Sequence, residues 1–148
     1  MLKGQLIHPE ILEVLGRAGH GSQVLIADGN YPFLTKLGPR ARLVNVNLSP
    51  GLVDCVQVLR ALVSAMPIED AAVMQYATSG PYALKSEPEI WADFRSVLQQ
   101  AGYQRPLNSI ERFAFYKAAG TPDVALTIAT GEQRIYANLL LTIGVVMP

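Results

Sequence analysis

The run Leu139-Leu140-Leu141-Thr142-Ile143 constrains the fold of this chain more than any other part of its sequence. Its apolar side chains occupy consecutive positions, so both faces of a β-strand formed here would be apolar. A strand of that kind is typical of the middle of a covered sheet. We therefore predict that a strand over Asn138 to Val146 lies centrally in its sheet.

Helices and strands alternate along the rest of the chain. Apolar residues recur at helical spacing in some segments, and short apolar runs bounded by turn residues indicate strands. The predicted helices cover Pro9 to Ala18, Gly51 to Met66, Glu87 to about Gln100, and a short segment through Arg112 to Tyr116 that ends at Gly120. The other predicted strands cover Gln23–Ala27, Arg42–Val46, Ala71–Ala77 and Val124–Ala129. This order predicts an α/β fold, a layered sandwich of helices around a central β-sheet.

Capping signals predict where three of these helices start. The signals are Ser49-Pro50 for the second helix, the capping-box pair Ser86 and Glu89 for the third, and Ser109 for the fourth. The second helix carries only two charged residues, so we expect other parts of the protein to cover it on more than one side.

Length and composition are typical of a globular protein. With 148 residues the chain can build one core, so we expect a single domain over residues 1–148. A hydrophobic content of 50% with 16% charged residues excludes intrinsic disorder. Twelve basic residues balance twelve acidic ones, so we expect no nucleic-acid or membrane partner. In a small chain, so high an apolar fraction favours self-association, which would cover part of the apolar surface.

The sequence carries no signal for export or membrane insertion. Cys55 is the only cysteine, so an internal disulfide is excluded, and its place on an apolar helical stripe predicts a buried, inert thiol. The apolar stretch from Ile135 to Pro148 is shorter than the roughly 20 residues that a membrane span needs. Met1-Leu2-Lys3-Gly4 is followed by no apolar signal-peptide core. We therefore expect a cytoplasmic protein.

Motifs for nucleotide cofactors and for serine hydrolysis are absent from the sequence. It contains no GxGxxG, GxxxxGK[ST] or GxSxG pattern. The two histidines, His8 and His20, lack the spacing of metal ligands, and no CxxC pattern accompanies them. We therefore expect no metal and no cofactor.

Five polar residues are candidates for a functional site, and each has a structural alternative. His20 lies between two glycines after the first helix, where it could instead interact with the helix dipole. Asp28 ends the first strand, where it could form an Asx turn. Arg112 lies among aromatic residues, as a stacked structural arginine would. Tyr136 and Asn138 share one strand face, where they could satisfy local hydrogen bonds.

Several short motifs containing these residues follow one another along the chain. They are Ala18-Gly19-His20-Gly21, Ile26-Ala27-Asp28-Gly29-Asn30-Tyr31-Pro32, Arg112-Phe113-Ala114-Phe115-Tyr116, Thr130-Gly131-Glu132 and Tyr136-Ala137-Asn138. As an ordered set they resemble the RbsD/FucU family of sugar mutarotases, from end to end of the chain. The segment from Arg112 to Tyr116 is more similar to the L-fucose mutarotase branch than to the D-ribose pyranase branch.

The resemblance implies a monosaccharide mutarotase that acts without a cofactor, on L-fucose or a related sugar. It implies that His20 is the proton donor, that Tyr136 is a second acid/base group, and that the substrate-binding residues are Asp28, Arg112, Tyr136, Ala137 and Asn138. Histidine suits the reaction because it titrates nearest to neutral pH and can serve both ring opening and ring closure. Ser22 and Asn30 depart from residues common in the family or its fucose branch, which leaves the exact sugar open.

The length of the first strand indicates that one subunit does not hold the whole site. Five strand residues span roughly 17 Å, so His20 and Asp28 are expected at opposite ends of the strand. Unless the glycine-flanked connection bends back sharply, one sugar could then reach both only if a neighbouring subunit supplied one of them. We therefore expect a homo-oligomer with sites near subunit interfaces, and the resemblance implies ring-like assemblies that include decamers.

Three other functions remain compatible with the sequence. The first is an isomerase of pyranose and furanose rings, similar to D-ribose pyranase. The second is a sugar-binding accessory of an uptake system, without catalysis, from which only a protonating role of His20 would distinguish an enzyme. The third is a self-associating scaffold without a ligand, which would leave the clustered polar residues unexplained.

Overall fold

A six-stranded mixed sheet organises the computed structural model, which describes all residues from Met1 to Pro148. Along the chain the elements are α1 (Pro9–Arg17), β1 (Gln23–Ala27), β2 (Arg42–Asn45), α2 (Cys55–Val63), β3 (Ile68–Met74), α3 (Ile90–Gln100), β4 (Asn108–Ile110), α4 (Arg112–Ala119), β5 (Val124–Ala129) and β6 (Leu139–Ile143). Across the sheet the order is β2-β5-β1-β6-β3-β4. The layered α/β fold and the central position of the last strand are confirmed.

The sheet separates two hydrophobic cores of unequal size. Helices α1, α2 and α3 cover one face, where 24 buried residues pack together, among them Phe94 and Leu141. Only α4 covers the other face, where nine buried residues include Phe115 and Leu140. Consecutive leucines of β6 therefore point into opposite cores, as a central strand requires. None of the four helices has the length and apolar character needed to cross a bilayer.

The direction of β6 decides which parts of the chain meet at each edge of the sheet. β6 runs antiparallel to both β1 and β3, while the other five strands run parallel to one another. The residues after β1, β3, β4 and β5 consequently lie at the same edge as the residues before β6. The turn before β1 lies at the opposite edge, where the N–H of Gly21 donates to the carbonyl of Ile143 at 2.9 Å.

The predicted start of the second helix is wrong. α2 begins at Cys55, and Asp54 caps it by accepting the N–H of Gln57 at 2.7 Å. The side chain of Gln57 in turn accepts the N–H of Asp54 at 3.0 Å, which completes a capping box. Gly51 has a φ of 80°, a left-handed conformation that a right-handed helix excludes. The helix also ends earlier than predicted, at Val63.

The predicted start of the third helix is also wrong. α3 begins at Ile90, and the Glu89 side chain makes no capping bond. Glu87 instead pairs with Arg95 through both carboxylate oxygens. This ion pair draws the segment before the helix towards its second turn and replaces the expected capping box at Ser86.

Strand β4 was not predicted, because its three residues do not form the apolar run that usually indicates a strand. Ser109 lies within this strand and does not cap α4. The cap is Glu111, whose carboxylate accepts the N–H groups of Phe113 and Ala114 at 2.9 and 3.1 Å. The ends of three other strands differ as well: β2 ends one residue earlier than predicted, β3 begins and ends three residues earlier, and β6 ends at Ile143.

We expect Asp54→Ala to lower the free energy of unfolding by about 0.5–2 kcal/mol, the usual cost of losing a helix N-cap. Urea denaturation would measure the loss. Ser49→Ala is the matched control, because Ser49 lies at the start predicted from the sequence, and it should have little effect. A larger loss in the Ser49 variant would contradict the assignment of Asp54 as the cap.

Candidate functional site

Asp28 is a buried carboxylate at the carboxyl end of β1, with 3% of its surface exposed. Its Oδ1 accepts the N–H of Asn30 at 2.9 Å, and its Oδ2 accepts Nδ2 of Asn138 at 2.9 Å and the N–H of Ala137 at 3.3 Å. The N–H of Asp28 donates in return to Oδ1 of Asn138 at 2.9 Å. These bonds tie the end of β1 to the residues that lead into β6.

The environment of Asp28 changes its acidity. Burial raises the pKa of Asp28 to about 6, although the hydrogen bonds from Asn30, Ala137 and Asn138 act in the opposite direction. The carboxylate is therefore mostly ionised at neutral pH and protonates under mildly acidic conditions. A group of this kind can accept hydrogen bonds from a ligand or exchange a proton with it.

Tyr136 is the only residue other than glycine with a positive φ, at 60°. Its carbonyl accepts Nε1 of Trp91 at 2.9 Å, and its hydroxyl donates to the carbonyl of Tyr82, also at 2.9 Å. The left-handed conformation turns the next N–H, that of Ala137, towards Asp28. Backbone strain of this kind costs about 1–3 kcal/mol and is concentrated at functional sites.

A pocket of about 310 Å³ opens beside these residues. Its volume falls within the roughly 300–1,000 Å³ of small-molecule sites. Four residues predicted to bind the substrate line it together with three further tyrosines: Asp28, Arg112, Tyr136 and Asn138, with Tyr31, Tyr82 and Tyr116. No group of three or more His, Cys, Asp or Glu side chains is arranged to hold a metal ion. The pocket offers charged and hydroxyl groups beside aromatic rings.

Arg112 begins α4 at the wall of this pocket. Its guanidinium carbon lies 5.7 Å from the centre of the Tyr116 ring and 5.8 Å from that of Phe113. Its Nε donates to the hydroxyl of Tyr116 at 3.4 Å. The aromatic contacts of a structural arginine are thus present, and they hold the charged group where a ligand can reach it.

His20 lies at the other edge of the sheet, outside the pocket of Asp28. Its Nε2 is 2.6 Å from Oε2 of Glu69, and both side chains are about half exposed. It lines a separate open hollow of about 710 Å³ that shares no residue with the Asp28 pocket. Within one chain the structure therefore keeps His20 and Asp28 apart, as the strand length predicts.

Glu69 is a partner of His20 that the sequence analysis missed. Ile68 and Asp70 pair with neighbouring residues of β6, so Glu69 is the extra residue of a β-bulge. A Cβ at position 144 would lie 3.3 Å from the backbone nitrogen of Glu69, which is closer than an ordinary van der Waals contact. Gly144 has no Cβ and therefore leaves room for the bulge. A carboxylate that accepts from Nε2 leaves Nδ1 unprotonated in a neutral ring. No sequence signal marks a bulge here.

A second buried carboxylate, that of Glu132, supports the turn that follows Asp28. The carbonyl of Glu132 accepts the N–H of Gly29 at 2.9 Å, and its side chain accepts Nε and Nη2 of Arg134 at 2.9 and 2.7 Å. Burial alone would raise the pKa of Glu132, but the bonds from Arg134 outweigh it and keep the pKa below its usual value.

Cys55 lies beside the Glu132 carboxylate. The prediction of a buried thiol is confirmed, and its sulfur is 3.3 Å from the hydroxyl of Thr130. Burial raises the pKa of Cys55, so the thiol stays protonated and is a poor nucleophile.

Comparison with known proteins gives a family match over nearly the whole chain. The model of the RbsD / FucU transport protein family matches residues 1–146. A curated relative from Danio rerio, named fucose mutarotase, is 34% identical, and the similarity covers 100% of this chain and 96% of that protein.

Solved structures are similar to this fold. The crystal structure of the fucose mutarotase from Streptococcus pneumoniae, in complex with L-fucose, matches with a TM-score of 0.78 at 26% identity, over 95% of each chain. The structure of Bacillus subtilis RbsD complexed with D-ribose matches with a TM-score of 0.74 at 21% identity, over 99% of this chain and 100% of that one. The second match bears on the fold alone.

We expect Asn138→Ala to raise the pKa of Asp28 further above about 6, because the variant removes a hydrogen bond that favours the ionised carboxylate. Carboxyl ¹³C chemical shifts followed against pH would measure the midpoint. Asn108→Ala is the matched control, since Asn108 donates to the partly exposed carboxylate of Asp70 instead. An unchanged or lowered midpoint in the Asn138 variant would contradict the bonding described for Asp28.

Proposed function

Because the chain belongs to the RbsD / FucU transport protein family, we propose that it is a monosaccharide mutarotase, an isomerase that interconverts the anomers of L-fucose or a related sugar. The observation that carries this proposal is the pocket in which a buried carboxylate, a guanidinium and tyrosine hydroxyls meet. L-Fucose is the first choice because the full-length relative is named a fucose mutarotase and the similar S. pneumoniae structure contains L-fucose.

The reaction needs one group that gives a proton and one that takes a proton. In ring opening, the anomeric hydroxyl loses a proton, the ring oxygen gains one, and the bond between the anomeric carbon and the ring oxygen breaks to give the open-chain aldehyde. Closure on the opposite face of the carbonyl reverses these steps and yields the other anomer. Because both directions run on one enzyme, each group must act as an acid in one and as a base in the other.

We assign the proton donor to His20 and the second acid/base role to Tyr136. With Nε2 bonded to Glu69, the unprotonated Nδ1 of His20 takes the proton of the anomeric hydroxyl in ring opening, and His20 donates it back in ring closure. Tyr136 gives its hydroxyl proton to the ring oxygen in opening and takes it back in closure. The hydroxyl of Tyr136 already donates to the carbonyl of Tyr82, which fixes its position at the pocket. Glu69 acts through His20 and is a positioning residue in this mechanism.

Asp28, Arg112 and Asn138 bind the sugar hydroxyls in this proposal. The ionised carboxylate of Asp28 accepts hydrogen bonds, and the guanidinium of Arg112 offers several donors in a fixed fork. Asn138 uses one amide hydrogen on Asp28 and has a second for the sugar. The N–H of Ala137 is committed to Asp28, so it supports binding through that carboxylate.

A complete site takes residues from two copies of the chain. His20 and Asp28 lie at opposite edges of the sheet and line separate hollows. Large apolar side chains also stay exposed beside the Asp28 pocket: Phe113 is 73% exposed and Tyr82 is 66% exposed. Apolar groups at the mouth of a sugar pocket suit contact with a second subunit. We therefore propose a homo-oligomer in which each subunit contributes His20 to a neighbour's pocket, as in a closed ring.

One pocket residue favours a second candidate function. Asn30 lines the pocket at a position where the fucose branch can carry histidine. An isomerase of pyranose and furanose forms, similar to D-ribose pyranase, would use the same acid and base on a different sugar. Rates measured on fucose, ribose and galactose in parallel would distinguish the two functions.

We expect His20→Ala to lower the rate of anomer exchange by about 10²–10⁴-fold, the usual contribution of a general acid/base group, with the fold intact. NMR saturation transfer between the anomeric protons of each sugar would measure the exchange. His8→Ala is the matched control. His8 lies before the N-terminus of α1, whereas His20 follows its C-terminus, so the His8 variant should keep its activity.

Two results would contradict this mechanism. Near wild-type exchange in the His20 variant would make His20 a structural residue. Sugar binding without any exchange in the wild-type protein would favour the non-catalytic accessory instead.

We expect two inactive variants to restore activity when they assemble together. A subunit with Asp28→Asn still supplies His20, and a subunit with His20→Ala still supplies Asp28. Random pairing at a head-to-tail interface places both intact residues together at about one quarter of the sites. Differently tagged subunits, co-expressed and purified through both tags, would show this activity by saturation transfer.

Two controls accompany this complementation. Each variant expressed alone should be inactive, and light scattering should report the same assembly for both variants. An active monomer, or a mixed assembly no more active than its parents, would exclude a shared site.

A further inference from the structure

Tyr31 has a buried side-chain hydroxyl without any hydrogen-bond partner in the protein. The residue is 4% exposed and follows the turn that begins at Asp28, whose carbonyl accepts its N–H at 3.1 Å. It also lines the pocket of Asp28 and Arg112. Burying a hydroxyl without a partner is unfavourable because its bonds to water are lost, so such a group in a native protein calls for a physical explanation.

The surroundings of Tyr31 supply no partner for this hydroxyl. Its ring centre lies 5.6 Å from that of Tyr116 and 6.0 Å from that of Phe33, in the smaller of the two cores. Tyr103 shows the opposite arrangement: its hydroxyl accepts the N–H of Ala71 at 3.2 Å and donates to the carbonyl of Pro106 at 3.3 Å. Of these two buried tyrosines, only Tyr31 has a hydroxyl that makes no hydrogen bond.

The electrostatics of the site keep this hydroxyl neutral. Burial raises the pKa of Tyr31, and the neighbouring Tyr116 and Asp28 raise it further. The hydroxyl therefore retains its proton at physiological pH and can both donate and accept a hydrogen bond. A neutral hydroxyl of a sugar has the same two capacities and matches it as a partner.

We propose that the hydroxyl of Tyr31 contacts one ring hydroxyl of the bound monosaccharide and thereby determines which sugars the site accepts. This inference rests on the proposed function, since it takes the pocket of Asp28 as the sugar site. A site that bonds a substrate hydroxyl discriminates against an analogue without it, because its own buried polar group is then left unpaired. Tyr31 is thus a specificity-determining residue that acts on binding.

The test is Tyr31→Phe, which removes the oxygen and keeps the ring. We expect KM to rise about three- to tenfold, the loss of one net hydrogen bond, while kcat stays within about twofold. The melting temperature without sugar should stay the same or rise, because an unpaired buried hydroxyl is removed. Tyr103→Phe is the matched control, with a lower melting temperature and an unchanged KM. An unchanged KM in the Tyr31 variant would overturn the proposal.

Deoxy sugars provide a second readout that a purely structural role would not change. In the wild-type protein, removal of the hydroxyl that Tyr31 contacts should weaken binding, as measured by the sugar-induced shift of the melting temperature. In the Tyr31→Phe protein the same removal should have little further effect. Equal penalties in both proteins, for every deoxy analogue, would overturn the proposal.

The same measurements separate this inference from the proposed function. If the wild-type protein exchanges anomers and binding is insensitive to Tyr31→Phe, only the role of Tyr31 fails. If the wild-type protein binds sugar without exchanging anomers, the catalytic function fails while the binding measurements still decide the role of Tyr31. If it binds no monosaccharide, both fail.

Discussion

A carboxylate buried at a sheet edge must be surrounded by donors, and this requirement shapes the site end of the molecule. Asp28 receives its donors from Asn30 and from the Ala137–Asn138 segment, which is far away in the sequence. The left-handed turn at Tyr136 brings the N–H of Ala137 within hydrogen-bond distance of Asp28. Because Trp91 holds the carbonyl of Tyr136, the helix α3 also takes part. Ligand-binding groups and the closure of the sheet thus depend on the same buried charge.

Much of the fold could be predicted because buried elements have recognisable patterns of apolar residues in the sequence. Consecutive leucines mark β6 as central, since each face of the strand meets its own core. Helix starts were harder to predict because several polar residues compete to cap one helix. Ser49 and Asp54 both have side chains that can cap a helix. The left-handed backbone of Gly51 excludes the earlier start, and the capping box with Gln57 selects Asp54. Strand β4 has three residues and pairs only with β3 in the sheet, so it needs little apolar sequence.

Local sequence determines the position of some of the candidate site residues. Asp28 and the Tyr136–Asn138 segment flank predicted strands, so the sheet brings them to the same edge, and the left-handed turn at Tyr136 completes their contact. Glu69 and Tyr31 could not be found in the same way. A β-bulge turns Glu69 towards His20, and Tyr31 is distinguished only by a buried hydroxyl without a hydrogen-bond partner. Both properties arise from tertiary packing and leave no pattern in a single sequence.

The place of β6 in the sheet also sets the order in which the protein can acquire structure during synthesis. β1 pairs only with β5 and β6, and Val24 meets Leu141 more than a hundred residues later in the chain. While a ribosome is still making the second half, β1 therefore has no strand to bond with. Such long-range pairing makes folding slow and exposes the nascent chain to aggregation. The sheet and its pocket then form together, as a late and cooperative event.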